Sequence, residues 1–470
     1  MAVLETDYLV VGAGASGMAF VDALVEASDA DVTMVDRRHR PGGHWNDAYR
    51  FVRLHQPSAC YGVNSLPLGD DRIDHAGPNA GFYERATAPE LCHYYERVLD
   101  EQLVASGQVR FLSMHDYQGA DRAGHRVVSR VTGEETTVRV RRRLVDATYL
   151  EAPVPATHTP QFEVDPQVQI LTPTGLVDLD GSAQRFTVLG AGKTAMDTCS
   201  WLLEQGVEPD RISWVRPREA WVLDRGFVQP LELLPNLLAG VANEAEAAAR
   251  AEDVDDLFPL LEESGQLHRL DAQIEPGMYR GAILSQAERA SLRQISRVVR
   301  LGRVRRLTTR RMLLDHGEVP TDGRTLYVDC TAKGLGRRLA RPIFEPGRIT
   351  LQQIQFGIVP FSAALTGFVE ATRDQDADKN RLCPPNRAPD AAVDWVSTTL
   401  TLWRAQAEWA NEPDVQHWLD NARLNIDRGV CDHLDKPQVT AALDRISEHQ
   451  ERAMSNLERL HVEVGAAVAG

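Results

Sequence analysis

Two glycine-rich turns in the sequence have the residue types and spacing that bind phosphate, GAGASG at Gly12–Gly17 and GAGKTA at Gly190–Ala195. Each follows a short apolar segment and precedes a segment with helical periodicity. In such a turn the first glycine allows the tight bend, the second lets a pyrophosphate approach the backbone, and the third position allows close packing of helix on strand. These positions are Gly12, Gly14, Gly17 and then Gly190, Gly192, Ala195. Both turns therefore predict a bound dinucleotide.

The residues at the end of the next strand predict that the two dinucleotides differ. The segment DVTMVD ends in Asp36, followed by Arg37, and a carboxylate at this place accepts hydrogen bonds from ribose hydroxyls. The segment ISWV is followed instead by Arg216 and Arg218. Guanidinium groups suit the 2′-phosphate of NADPH. We therefore expect a resident redox cofactor at the first turn and NADPH at the second.

The letters GAGKT also allow a different interpretation, the P-loop of a nucleoside triphosphatase. Lys193 and Thr194 would then serve a phosphate and a magnesium ion. That motif requires a glycine at the position that Thr187 occupies. The dinucleotide interpretation is therefore favoured, and it places Lys193 and Thr194 beside the pyrophosphate.

The elements that must position these turns occur twice along the chain. After each turn come a strand, a polar segment with strand-like alternation, and a last strand. The last strand runs into VDATY, which contains Asp146, in the first copy and into VDCTA, which contains Asp329, in the second. The fold class predicted is α/β, with two Rossmann-like doubly wound domains. We expect a first part of an FAD-binding domain at 1–165, an NADPH-binding domain at 166–325 with a helical insertion at about 226–300, a return to the first domain at 326–388 and a helical C-terminal region at 389–470.

These motifs, together with RPGGHW at Arg40–Trp45, give the chain a resemblance to the flavin-containing and Baeyer–Villiger monooxygenases. The resemblance implies FAD at the first turn and NADPH at the second. It implies a flavin pocket shaped by Gly43, His44 and Trp45, with Thr148 at the strand end. The activity implied is insertion of one oxygen atom from dioxygen into a small organic substrate, by N-, S- or Baeyer–Villiger-type oxygenation through a flavin peroxide.

The chain departs from that family at places that bear on oxygen chemistry. The segment between the two domains, TPQFEVDPQVQILTP, lacks the family's FxGxxxH pattern. Where the family has an asparagine near the flavin, YRFVRLHQ offers His55 or Gln56, with Arg53 as a further catalytic candidate. The alternative function is an NADPH-dependent flavin dehydrogenase, reductase or oxidase that does not insert oxygen.

Composition excludes several other classes of protein. A formal net charge of -16 disfavours a nucleic-acid partner, and no apolar run is long enough to span a membrane, so a cytoplasmic location is expected. The six cysteines form no CxxC pair, which argues against a metal site and against a flavin disulfide reductase. The apolar seam of the last helix allows either a homodimer contact or docking onto the same chain.

Overall fold

The computed structural model describes residues 2–151, 153–181, 183–334 and 338–469. Its first sheet contains the strand that leads into the first glycine turn. The elements there are β1 (Ala2–Val11), α1 (Ala15–Glu26), β2 (Val32–Asp36), α2 (Ala88–Arg97), β3 (Val109–Ser113), β4 (His115–Asp121), β5 (Gly124–Ser129) and β6 (Glu135–Asp146). The strands β6, β1, β2 and β3 lie side by side and parallel, while β4 and β5 form an antiparallel extension of β6. All five residues of β2 are buried, as expected for a strand covered on both faces.

The second glycine turn belongs to a second parallel sheet. The elements of this part of the chain are β7 (Glu163–Val164), β8 (Ile170–Leu171), β9 (Arg185–Leu189), α3 (Lys193–Glu204), β10 (Ile212–Val215), β11 (Ala220–Asp224), α4 (Leu234–Arg250), α5 (Val254–Glu263), β12 (Leu267–His268), β13 (Met278–Leu284), α6 (Gln286–Leu292), β14 (Arg297–Val299), β15 (Val304–Leu307), β16 (Arg311–Leu314), β17 (Gly317–Pro320) and β18 (Thr325–Asp329). The parallel sheet consists of β8, β9, β10, β14 and β18, whereas β11–β13 form a three-stranded sheet and β7 with β15–β17 a four-stranded one. The order β18-β9-β10-β14 repeats the order β6-β1-β2-β3 of the first sheet, and β8 is added at the edge. The α/β fold with two Rossmann-like units is confirmed.

The repeat extends to the hydrogen bonds at the ends of β6 and β18. Asp146 Oδ1 accepts from the backbone N–H of Thr148 (2.9 Å) and from its hydroxyl (2.7 Å). Asp329 Oδ1 accepts from the backbone N–H of Thr331 (2.9 Å) and from its hydroxyl (2.6 Å). Each aspartate therefore closes a turn beside the glycine turn of its own sheet.

The stretch 226–300 differs from the helical insertion expected from its periodicity. It contains the helices α4 and α5, but it also contains β13, which pairs in parallel with β11, and β12, which pairs antiparallel with β11. The apolar run at the end of β13 was expected to be helical. It is a strand because the neighbouring β11 supplies backbone partners, and local sequence periodicity does not reveal such a partner.

The chain then returns to the first sheet and ends in helices. These elements are β19 (Phe344–Glu345), β20 (Arg348–Thr350), α7 (Val359–Thr372), α8 (Asp376–Leu382), α9 (Asp394–Trp409), α10 (Pro413–Asn421) and α11 (Pro437–Ala469). β20 pairs in parallel with β6. α7 packs closely on α1, since a Cβ at Gly367 would lie 2.4 Å from the carbonyl oxygen of Phe20.

The last helix docks onto its own chain. α11 packs along α4 and against α9. Its side chains Ala453, Leu457 and Leu460 are fully buried in a cluster with α4, α5 and α9. Of the two expectations for the apolar face of this helix, packing within one chain is the one observed. No helix in the described residues has the length and apolar character needed to cross a membrane.

Candidate active site

The first turn carries the predicted acid close to its backbone. Gly12 has a φ of +104°, a conformation that favours glycine. The buried carboxylate of Asp36 accepts from the backbone N–H of Ala13 (2.7 Å) and from that of Arg38 (2.8 Å). These two bonds orient the carboxylate at the mouth of the turn. α1 begins without a side-chain cap, so its first N–H groups are free to meet a phosphate.

Gly14 lies against the double-glycine segment Gly42–Gly43. A Cβ at Gly14 would face the Cα of Gly43 at 3.4 Å, and a Cβ at Gly43 would lie 2.9 Å from the Cα of Gly14. The backbone N–H of Gly42 also donates to the carbonyl of Ala13 (2.8 Å). The two glycine segments therefore pack closely, and the approach of a pyrophosphate at Gly14 stays a prediction.

The other candidate residues of the first site are spread around this turn. The indole N–H of Trp45 donates to the hydroxyl of Tyr61 (2.9 Å), and exposed His44 lies against the ring of Trp45 (4.7 Å between centroids). Thr148 lies beside the turn, with its Cγ2 3.0 Å from a Cβ built at Gly12. Arg37 forms a surface ion pair with Glu151, so its guanidinium is already engaged by a carboxylate.

The second turn leaves open space where the first is filled. Gly190 has a φ of +127°, and a Cβ there would lie 2.7 Å from the carbonyl oxygen of Cys330. A Cβ at Gly192 would meet nothing within 4 Å. Ala195 is buried under the turn, and Lys193 forms an ion pair with Asp197 one helical turn further on. A pyrophosphate can therefore approach the backbone at Gly192.

The strand-end residues of the two sheets are equivalent by hydrogen bonding. The N–H of Gly12 donates to the carbonyl of Val35 (2.8 Å), and the N–H of Gly190 donates to the carbonyl of Val215 (3.0 Å). The next residues along the chain are Asp36 and Arg216. An acid and a base thus occupy the same position in the two units.

Arg216 is buried, stacked and incompletely bonded. Its guanidinium lies 4.8 Å from the ring centroid of Trp214, and its Nε is 3.3 Å from Glu219 Oε1 but makes no hydrogen bond. Burial lowers the pKa of Arg216.

Arg218, the second arginine expected at NADPH, is bound bidentately by Asp390 (2.8 and 2.9 Å), which also binds Arg280. The structure therefore places Arg218 in an ion pair with the segment before α9, a partner too distant in sequence to be foreseen.

Tyr49 and Phe51 contact α3, and we call the segment 49–56 that begins with them the seam between the two units. The hydroxyl of Tyr49 donates to Asp197 Oδ2 (2.9 Å) and also interacts with the side chain of Thr194. The ring of Phe51 stacks on Trp201, with centroids 4.7 Å apart. The seam therefore connects the first unit to the start of α3, the helix that follows the second glycine turn.

All three catalytic candidates, Arg53, His55 and Gln56, belong to the seam. His55 is partly buried, and burial, with a further contribution from Lys193, lowers the pKa of its imidazole to about 3. Gln56 is buried, and its Nε2 has no hydrogen-bond partner. The side chain of Arg53 is exposed, and its guanidinium donates to the carbonyl of Arg85 (3.0 Å).

Sequence reasoning missed three residues behind the seam. Arg85, Arg225 and Glu288 form a buried ion cluster, and both arginines donate to backbone carbonyls of the segment 54–55. The only local signal was a capping box from Ser285 to Glu288, which predicts the start of a helix and gives no sign of the arginines.

Comparison with known proteins gives one family-model match and full-length relatives. Residues 10–70 match the NAD(P)-binding Rossmann-like domain. An uncharacterized protein of Mycobacterium tuberculosis is 42% identical over 468 residues, covering 99% of this chain and 86% of that protein. An uncharacterized protein of Mycobacterium bovis matches to the same extent.

Solved structures of lower similarity also match. The polycyclic ketone monooxygenase of Thermothelomyces thermophila has a TM-score of 0.49 and 14% identity, covering 96% of this chain and 90% of its own. The flavin-containing monooxygenase of Stenotrophomonas maltophilia has a TM-score of 0.46 and 15% identity, covering 78% of this chain and 98% of its own.

Proposed function

The chain belongs to the same family as these mycobacterial proteins, and we propose that it is an FAD- and NADPH-dependent monooxygenase that transfers one oxygen atom from dioxygen to a small organic substrate. The observation that carries this proposal is the placement of Asp36 and Arg216 at equivalent positions of two adjoining dinucleotide units. An acid selects a ribose with free hydroxyls, and an arginine selects a ribose 2′-phosphate. Two different dinucleotides at adjoining sites are what hydride transfer from NADPH to a flavin requires.

The residues at the first turn fit FAD. The carboxylate of Asp36, held at the turn by Ala13, would accept from ribose hydroxyls, and the uncapped start of α1 is available to the pyrophosphate. The buried Nε2 of Gln56 has no partner in the described part of the chain, and a flavin carbonyl is a suitable acceptor for it. Bound FAD would take a hydride from NADPH and pass electrons to dioxygen.

The residues at the second turn fit NADPH. Open space at Gly192 admits a pyrophosphate, and the incompletely bonded guanidinium of Arg216 suits a 2′-phosphate. Lys193 supplies a positive charge at the first position of α3.

At the seam, His55 and Gln56 would hold the reacting atoms without adding a charge. Because the pKa of His55 is about 3, its imidazole is neutral near pH 7 and can accept or donate one hydrogen bond at each nitrogen. Gln56 offers a buried amide donor without a partner in the described part of the chain. Burial of this kind favours exclusion of water, which oxygen transfer to a substrate needs if peroxide release is to be avoided.

The test starts with the visible spectrum of the purified protein. We expect a flavin spectrum that NADPH bleaches without air, and one oxygenated product per NADPH when air and a panel of ketones, amines and sulfides are supplied. If NADPH bleaches the flavin but all the oxygen consumed appears as peroxide across the panel, the alternative oxidase or reductase function is correct. A colourless protein that binds no FAD would overturn both.

A further inference from the structure

A buried carboxylate joins two buried arginines that come from different units of the molecule. Glu288 Oε1 lies 3.2 Å from Arg85 Nη2, and Glu288 Oε2 accepts from Arg225 Nη2. The three side chains are 8%, 7% and 0% exposed, respectively. An unpaired charge at this depth is costly, so each group depends on the others.

The same arginines hold the backbone of the seam. Arg85 Nη1 donates to the carbonyl of Leu54 (3.1 Å), and Arg225 Nη1 donates to the carbonyl of His55 (3.1 Å). Arg85 Nε also donates to Asn79 Oδ1 (3.1 Å), and Arg225 Nη2 also donates to the carbonyl of Ile283 (3.4 Å). Each guanidinium thus has donors on both Glu288 and one peptide of the seam. A planar guanidinium keeps a fixed angle between those donors, so the position of the carboxylate is passed on to the peptides.

Glu288 itself is held firmly and stays ionised. Its carboxylate accepts from the backbone N–H of Ser285 (2.7 Å), and its own N–H donates to Ser285 Oγ (3.1 Å). Burial alone would raise the pKa of this carboxyl, but Arg225, Lys193 and Arg85 outweigh it and hold the pKa at about 2. The carboxylate is charged throughout the physiological range.

We propose that Glu288 is a positioning residue which, by orienting Arg85 and Arg225, fixes the peptides of Leu54 and His55 and thereby places His55 and Gln56 for the reaction. This inference rests on the proposed function, in which those two side chains meet the flavin and the substrate. Glu288 would touch neither of them. Its effect would be seen in the order of the seam and in turnover, and much less in binding of NADPH.

The test compares Glu288→Gln with a matched control elsewhere in the fold. Glu370→Gln removes a carboxylate that is also buried between two cations, Lys379 (2.6 Å) and Arg143 (3.3 Å). No hydrogen bond or ion pair links Glu370 to residues 53–58 in the described part of the chain. Both variants are examined as full-length protein, by amide hydrogen exchange of peptides covering residues 51–58 and by steady-state kinetics with NADPH.

We expect exchange of the amides at 54–58 to be about 10-fold faster in Glu288→Gln and unchanged in Glu370→Gln. The kcat of Glu288→Gln should fall about 10- to 100-fold, with the KM for NADPH within about threefold of wild type. If Glu288→Gln does not fold, Arg85→Lys replaces it, because an ammonium cannot serve Leu54 and Glu288 with the geometry of a guanidinium.

Unchanged exchange and unchanged kcat in a folded Glu288→Gln would overturn the proposal, as would equal losses in Glu370→Gln. The exchange measurement does not need a cofactor. If wild type binds no flavin, the proposed function fails and so does any role in catalysis. Exchange at 54–58 still decides whether Glu288 orders the seam.

Discussion

At the scale of single residues, replacing Arg216 and replacing Arg218 should have different effects on nucleotide preference, although the sequence presents the two arginines as a pair. Arg216 is at the strand end with an unbonded Nε, whereas Arg218 is fully engaged by Asp390. Arg216→Ala should reduce kcat/KM for NADPH about 10- to 100-fold and leave kcat/KM for NADH nearly unchanged. Only NADPH has the charged 2′-phosphate whose hydrogen bond the variant loses. Steady-state kinetics with both nucleotides measures this preference.

Arg218→Ala is the control for that measurement. Arg218→Ala should change kcat/KM for NADPH and for NADH to the same extent, because the guanidinium of Arg218 is ion-paired with Asp390. An equal loss for NADPH and NADH in Arg216→Ala would remove Arg216 from the 2′-phosphate site. A selective loss in Arg218→Ala would mean that Asp390 releases its arginine when NADPH binds.

The sequence located the residues that belong to local motifs and missed those whose partners are distant. The glycine turns, Asp36 and Arg216 follow from spacing alone, because strand, turn and helix are adjacent in the chain. Glu288 and its arginine Arg85 are far apart in sequence and belong to no motif. Their meeting depends on how the two units pack, and a single sequence carries no signal for that.

At the scale of elements, the two turns should respond differently to an added methyl group. Gly192→Ala should fold normally and retain FAD, because its backbone is extended and the new Cβ meets nothing within 4 Å. The methyl group would lie where the pyrophosphate must approach, so we expect the affinity for NADPH to fall about 10-fold or more. Titration of the flavin spectrum with NADP⁺ measures this.

The matched variant is Gly17→Ala in the first turn. Its Cβ would lie 2.0 Å from the carbonyl oxygen of Gly12, so the start of α1 would have to move. We expect loss of FAD and a lower melting temperature. Normal NADP⁺ affinity in Gly192→Ala would mean that the second turn does not hold a pyrophosphate.

The helix α4 contains a carboxyl that should make stability depend on pH. Burial, opposed by a hydrogen bond from Gln266, raises the pKa of Glu244 from 4.5 to about 7. Between pH 4.5 and 7 the native protein keeps a proton that the unfolded chain has lost, so stability falls as the pH rises through this window. Glu244→Gln should therefore be more stable than wild type by about 1 to 3 kcal/mol at pH 8 and equal to it near pH 4.5.

Denaturant unfolding at several pH values tests this, with Glu246→Gln as the control on the same helix. Glu246 is ion-paired with Arg445 (2.8 Å). This pair lowers the pKa of Glu246 below its usual value, although burial acts in the opposite direction. Its replacement should lower stability slightly at pH 8, by about 1 kcal/mol or less. If Glu244→Gln exceeds wild type in stability by no more at pH 8 than at pH 4.5, the carboxyl of Glu244 is solvated.

Elements were predictable where their periodicity was strong and their partners were near in sequence. β1, α1 and β2 lie where the alternation of apolar segment, turn and amphipathic segment predicts them. β13 was missed because a short apolar run fits a helix or a strand equally well, and only pairing with β11 selects the strand.

At the scale of the whole molecule, the C-terminal region ties the two units together. Asp390, just before α9, binds Arg218 and Arg280 of the second unit. Buried Arg423, after α10, donates to the carbonyl of Ala59 in the first unit (2.9 Å). The duplication that could be predicted from sequence explains each unit, but this region links both units through contacts that carry no motif.

The last helix therefore belongs to the fold of one chain, and two substitutions on it separate that role from a subunit contact. Leu457 is fully buried between α11 and its neighbours, whereas Val462 is 69% exposed. Leu457→Asp should cost about 3 kcal/mol or more, because a carboxylate would be buried without a partner. Val462→Asp should change stability by about 0.5 kcal/mol or less and leave the mass in solution unchanged. Thermal unfolding and light scattering after size exclusion measure both quantities. A lower mass for Val462→Asp than for wild type would show that the exposed end of α11 also joins two chains.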